Sequence, residues 1–215
     1  YTRDAFPSQW ATTQNNLGLA YSDRIRGERA ENIENAIAFY QAALEVYTRD
    51  AFPSQWATTQ NNLGNAYSDR IRGERAENIE LAIAYLQAVL PVYTRDAFPS
   101  QWAVAQNNLG NAYRNRICGE RAENIESAIA SFQAALQVRT REAFPSDWAM
   151  TQNNLGNAYS DRIRGERAEN IESAIASYQA ALQVRTREAF PSDWAGTQNN
   201  LGNAYYQRIR GETAE

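Results

Sequence analysis

Histidine is absent from the 215 residues, and so is lysine: all 21 basic residues are arginine. Without histidine, the commonest acid–base side chain near neutral pH is missing. The carboxylates offer no catalytic constellation in its place. Glu28, Glu31 and Glu34 read as helix-end charges, so neither a catalytic residue nor a metal site is expected, and no cofactor. One cysteine, Cys118, cannot form an internal disulfide, which points to a reducing compartment, the cytoplasm. It stands in a slot that is arginine in the sister copies (Arg26, Arg72, Arg164, Arg210) and reads as drift rather than a reactive thiol. The net charge of −4 is spread along the chain, with arginines alternating with acids as in "DRIRGERAENIE". That is a solvated surface of mixed sign and not a basic face for nucleic acid. No apolar run approaches the ~18 residues of a membrane span. Strand-like alternation is missing throughout.

What the sequence does have is repetition. Tryptophans stand at 10, 56, 102, 148 and 194, each 46 residues from the last. A fixed period of this size marks stacked repeats whose units contact only their neighbours. The expected division is a single array: a tail of a preceding helix at 1–6, full repeats at 7–52, 53–98, 99–144 and 145–190, and the first helix of a fifth repeat at 191–215. The chain opens and closes mid-repeat, as a piece of a longer array would, so targeting segments are not readable.

Each repeat reads as two helices. Placed at 100° per residue, Trp10, Gln14, Leu17, Tyr21 and Ile25 fall on one side of helix A, with Ala11 and Gly18 beside them where another helix could come close. Pro7 and Ser8 suit its first turn and Gly27 its end, which predicts a helix from about Pro7 to Arg26. Helix B follows, with Asn32 as its expected N-cap and Ile33, Ala36, Ile37, Tyr40, Ala43, Leu44 and Tyr47 as its buried stripe, ending near Asp50. Pro91 stands where Glu45, Gln137 and Gln183 stand elsewhere, which predicts a kink or an early end near Val89–Leu90.

The recurring Leu17-Gly18-x-x-Tyr21 followed by Ala36-x-x-x-Tyr40 resembles the tetratricopeptide repeat, and it recurs in register at Leu63, Leu109, Leu155 and Leu201. The usual unit has 34 residues, so this one carries 12 more, about a turn and a half in each helix. Gln14 holds the family's tryptophan position, with Trp10 one turn earlier. "QNNLGNAY" also resembles the long repeats of kinesin light chains. The near-identical copies resemble arrays of multidomain cyanobacterial proteins, where they accompany signalling or caspase-like (CHAT) domains. The resemblance implies an all-α solenoid, a right-handed superhelix of antiparallel pairs with about nine helices. It also implies that A helices line a concave groove that takes a peptide or a partner domain.

Within helix A the copies differ at Thr12/Thr58/Val104/Met150/Gly196, at Leu19 against Asn65, at Ser22/Ser68/Arg114/Ser160/Tyr206, at Asp23/Asn115/Gln207 and at Arg26/Cys118. These steps gather opposite the Trp–Leu–Tyr side, on the stripe that the resemblance makes the groove wall. Asn15, Asn61, Asn107, Asn153 and Asn199 lie inside this stripe without varying, and Asn65, Asn111, Asn157 and Asn203 lie at its centre. An asparagine amide donates to and accepts from a peptide backbone at once, so these residues are candidate ligand contacts, as groove asparagines are in the family. They would equally serve to cap or bridge neighbouring helices. Arg114 and Tyr206 have the most reach on the stripe and are the kinds of residue that anchor interfaces.

The sequence therefore reads as a non-catalytic scaffold for a protein or peptide partner, with neither nucleic acid nor membrane among its partners. Two alternatives stay open. Cut repeat ends could associate end to end, or the array could regulate an effector enzyme domain outside these residues.

Overall fold

A computed structural model describes residues 1–212, and among them there are nine α-helices and no strand. The A helices are α1 (Pro7–Ser22), α3 (Pro53–Ser68), α5 (Pro99–Asn115), α7 (Pro145–Ser160) and α9 (Pro191–Glu212). The B helices are α2 (Arg29–Leu44), α4 (Arg75–Val89), α6 (Arg121–Leu136) and α8 (Arg167–Leu182). No described helix is long and apolar enough to cross a membrane. The chain divides into two compact units, Tyr1–Asn108 with Asn115–Cys118, and Leu109–Arg114 with Gly119–Glu215. Inside them α1 pairs with α2, α3 with α4 and α7 with α8, and α2, α6 and α8 also pack on the A helix that follows: the repeated pattern of an all-α solenoid.

The pairing of A with B rests on one glycine per repeat. A Cβ on Gly18 would stand 2.5 Å from the Tyr40 ring, and one on Gly156 would stand 2.6 Å from Tyr178. Only a bare backbone lets the aromatic ring lie against helix A, and that ring is fully buried. Ile33, Ile37, Leu63 and Ala66 complete the core in the first unit, as Ile171, Ile175, Leu201 and Ala204 do in the second. The tryptophans are half-buried and form smaller clusters at the other end of the helices. Trp56 joins Ala11, Ala43 and Tyr47 on one side and Ala57, Val89 and Tyr93 on the other. Arg49 covers its outer face at 5.9 Å.

Three sequence expectations shift. Helix A stops at Ser22 and not at Arg26, and Ile25 is 98% exposed instead of buried. The turn is drawn out of the helix by Gly27, whose φ is +84°, and by the buried Asn32. Asn32 is not the N-cap. It lies inside α2, and its Nδ2 donates to the carbonyl of Arg26 at 2.9 Å, so it ties the turn and not the helix start. Helix B ends at Leu44, well before Asp50.

Pro91 introduces no break within a helix. Its sisters Glu45, Gln137 and Gln183 are already C-caps, and α4 ends one residue earlier, at Val89. The missing N–H removes the cap bond that Glu45 makes to Ala42 (3.2 Å), while Val92 still bonds Val89 at 2.9 Å.

Candidate functional site

The predicted stripe of helix A is where the clefts of each unit lie, and its asparagines have two roles there. Asn15 accepts at its Oδ1 from Asn62 Nδ2 (3.4 Å) and from the Thr59 hydroxyl (3.2 Å). Asn61 accepts from Asn108 and Asn153 from Asn200, both at 3.2 Å. Their carbonyls thus bridge successive A helices, the bridging alternative left open by the sequence. Their Nδ2 groups donate to none of the described residues, and Asn15 and Asn61 both line clefts. Asn107 is 2% exposed, whereas Asn199 is open to solvent. Of the second set, Asn65 and Asn203 are exposed and Asn111 half-buried, while Asn157 accepts from the Tyr178 hydroxyl at 2.8 Å.

Two kinds of cleft open between neighbouring A helices. Near the helix starts, Ser8, Thr12, Asn15, Gln55 and Thr58 enclose about 210 Å³ over Tyr47, and the next seam repeats it at about 150 Å³ over Tyr93. Near the helix ends, Ser22, Asp23, Asn62, Asn65 and Asp69 enclose about 180 Å³ over Tyr40. The same positions in the second unit, Ser160, Asp161, Asn200, Asn203 and Gln207, enclose about 150 Å³ over Tyr178, with Arg114 and Asn157 at the rim. Burial raises the pKa of both floor tyrosines, Tyr40 and Tyr178, so they are neutral donors. Amides and hydroxyls recur in the linings and suit main-chain groups, beside charged residues near the helix ends and Val104 over Tyr93.

The slot held by Tyr47 and Tyr93 changes identity along the chain. Tyr47 reaches back to the helix A of its own repeat: its hydroxyl lies 2.6 Å from that of Thr12 and donates to the Ser8 carbonyl at 3.2 Å. Tyr93 does the same with Thr58 (2.6 Å) and Ser54 (2.8 Å). In the next two repeats the slot holds Arg139 and Arg185, which reach forward instead. Arg139 donates to the Thr151 hydroxyl at 2.9 Å, and Arg185 donates to Thr197 at 3.0 Å. The companions change too: Thr12 and Thr58 give way to Val104 and Met150, while Gln55 and Gln101 give way to Asp147 and Asp193. Arg139 is only 4% exposed, and burial presses against its charged form while Asp147 favours it.

Two sets of residues escaped the sequence reading. The first is Asn62, Asn108 and Asn200, which the helical wheel places at the stripe's edge. Their partners lie 47 residues away, a spacing of one period plus one. The second is Glu34 and its equivalents. Arg70 grips Glu34 with Nε and Nη2 at 2.8 and 2.9 Å, Arg116 grips Glu80 at 2.7 and 2.8 Å, and Arg162 grips Glu126 at 2.7 and 2.9 Å. These forks join helix B of one repeat to the turn after helix A of the next. The hydrogen bond from Arg70 holds the Glu34 carboxyl below its ordinary pKa, and Arg116 does so for Glu80. The signal was the spacing of 36 between an acid and an arginine, visible only once the period is folded.

A family model described as tetratricopeptide repeat matches residues 10–50, 56–95 and 148–188. No curated protein matches the chain.

Proposed function

Because the chain belongs to the tetratricopeptide repeat family, whose repeats mediate protein–protein interaction and scaffolding, we propose that its A-helix row receives an extended segment of a protein partner. The observation that carries this is the recurrence of clefts between A helices in both units, each with at least one asparagine side chain in its lining and a tyrosine beneath. Evenly spaced main-chain amides of an extended peptide match such a lining without any demand on side chains. On this reading Asn15, Asn61, Asn65 and Asn203 offer donors to the ligand. Asn107 is too buried to touch one and serves packing. The chemistry would reside in the partner or in a neighbouring domain, and the single cysteine fits a cytoplasmic setting.

The test is selection of random dodecapeptides on the intact chain, followed by affinity measurement with Asn65→Ala/Asn203→Ala. Both residues are exposed, so their loss spares the fold. The double variant is expected to bind about tenfold more weakly, the equivalent of ~1.4 kcal/mol. Unchanged affinity with an unchanged melting temperature would remove these residues from the site, and failure to select any peptide would remove the groove reading.

A further inference from the structure

Among near-identical copies each departure stands out, and several departures meet on the solvent side of α4. In the first repeat that side of helix B carries Asn35, Ala38, Ala42 and Glu45, which helical spacing places on one face. Later repeats keep the two alanines between Ser127 and Gln137 and between Ser173 and Gln183. In the second repeat both polar ends turn apolar, and the stripe becomes Leu81, Ala84, Ala88 and Pro91. Leu81 is 40% exposed, Ala84 and Pro91 are exposed, and Ala88 is half-buried, so the stripe lies open.

Each end of this stripe also carries a charge without its counterpart. The slot of Pro91 holds an acceptor in other repeats: Arg3 pairs with Glu45, and Arg141 donates to Gln183 at 2.6 Å. Pro91 has no side-chain acceptor, so the matching Arg49 has only the Trp56 ring, at 5.9 Å. At the helix start, Glu123 of α6 meets Arg164 at 3.6 Å, but the slot that would serve Glu77 holds Cys118. Glu77 and Arg49 are both exposed, and neither has an ion pair among the described residues.

From start to end the stripe therefore runs acid, leucine, alanine, alanine, proline, base. That order is complementary to its own reverse. A two-fold axis at Ala84 and Tyr85 would set each Leu81 over the other copy's Ala88, ridge into notch, and each Glu77 beside the other copy's Arg49. A parallel pairing would bring like charges together at both ends.

We propose that α4 is a homodimer contact, in which two copies of this chain pack their stripes antiparallel about a two-fold axis. This goes beyond the groove reading, because the stripe shares no residue with the clefts between A helices. A dimer would offer two A-helix rows to one partner. One helix pair is a small interface, so the association is weak and depends on concentration.

Sedimentation velocity of the intact chain, from about 10 μM to about 1 mM, is the test, and a monomer–dimer equilibrium is expected. Leu81→Asn/Pro91→Gln installs residues that sister repeats carry, and should weaken dimerisation at least about tenfold without lowering the melting temperature. Glu77→Arg and Arg49→Glu should each weaken it, and the two together should restore it. On mild oxidation in a Cys118→Arg background, Ala84→Cys should cross-link two copies, while Ala38→Cys, at the same place on α2, should not. A chain that stays monomeric throughout would assign the stripe to a helix of another protein and overturn the proposal. So would a mass that grows past the dimer, a dimer indifferent to Leu81→Asn/Pro91→Gln, a charge exchange that restores nothing, or equal cross-linking from Ala38→Cys.

Discussion

The first unit fastens its repeats with tyrosine and the second with arginine. Tyr47 and Tyr93 bond within their own repeat, to Thr12 and Thr58. Arg139 and Arg185 bond to the next one, at Thr151 and Thr197. Neither arrangement is a point substitution. A longer cationic side chain needs a hydroxyl ahead of it and a carboxylate nearby, and it no longer needs the hydroxyl behind. The threonine behind accordingly becomes valine or methionine, and the glutamine ahead becomes aspartate. The difference teaches that one helical framework accepts two polar fastenings, each a set that has to change together.

The comparison breaks most sharply if one fastening is placed in the other's surroundings. Tyr93→Arg should destabilise the chain by about 4 kcal/mol in denaturant unfolding, because Ala105 and Gln101 give the buried guanidinium neither hydroxyl nor charge. Adding Ala105→Thr and Gln101→Asp should recover more than half of the loss. Absence of recovery would refute the set-wise reading. Arg139→Ala comes next, at about 3 kcal/mol, since a filled buried position is emptied and Asp147 is left without its cation. Tyr93→Phe should cost about 1 kcal/mol, the hydroxyl bonds alone.

The smallest effect concerns a feature both units share, the Glu–Arg forks. The folded-state pKa values of Glu34 and Glu80 lie below the ordinary 4.5. Their contribution is therefore full above that value and lost as pH falls through the depressed folded values. Stability measured by denaturant between pH 7 and pH 3 should decline in that window. Glu34→Gln with Glu80→Gln should flatten the decline while lowering stability at pH 7 by less than about 1 kcal/mol each, as half-exposed pairs do. An unaltered pH curve would show the forks to be idle.

The helix pair was legible because its determinants are local: Pro7 opens helix A, Gly18 admits Tyr40, and Ala36 and Ile37 recur at helical spacing. The end of helix A was not, because Ile25 continues the apolar period that Gly27 and Asn32 override through turn geometry. For the candidate site, periodicity put the asparagines on one stripe of helix A but could not give the share of each amide already used within the array. Asn15 meets Asn62 only across a seam, and a wheel drawn for one helix has no seam.

The forks also bear on how such a chain changes length. Each repeat presents a glutamate toward its successor and an arginine toward its predecessor, as Glu34 meets Arg70 and Glu80 meets Arg116. Excising or duplicating one complete 46-residue unit would leave every acid opposite a base. Unequal recombination between neighbouring copies therefore yields products whose forks are already matched at the join, and only the tyrosine or arginine fastening limits which copies can be exchanged.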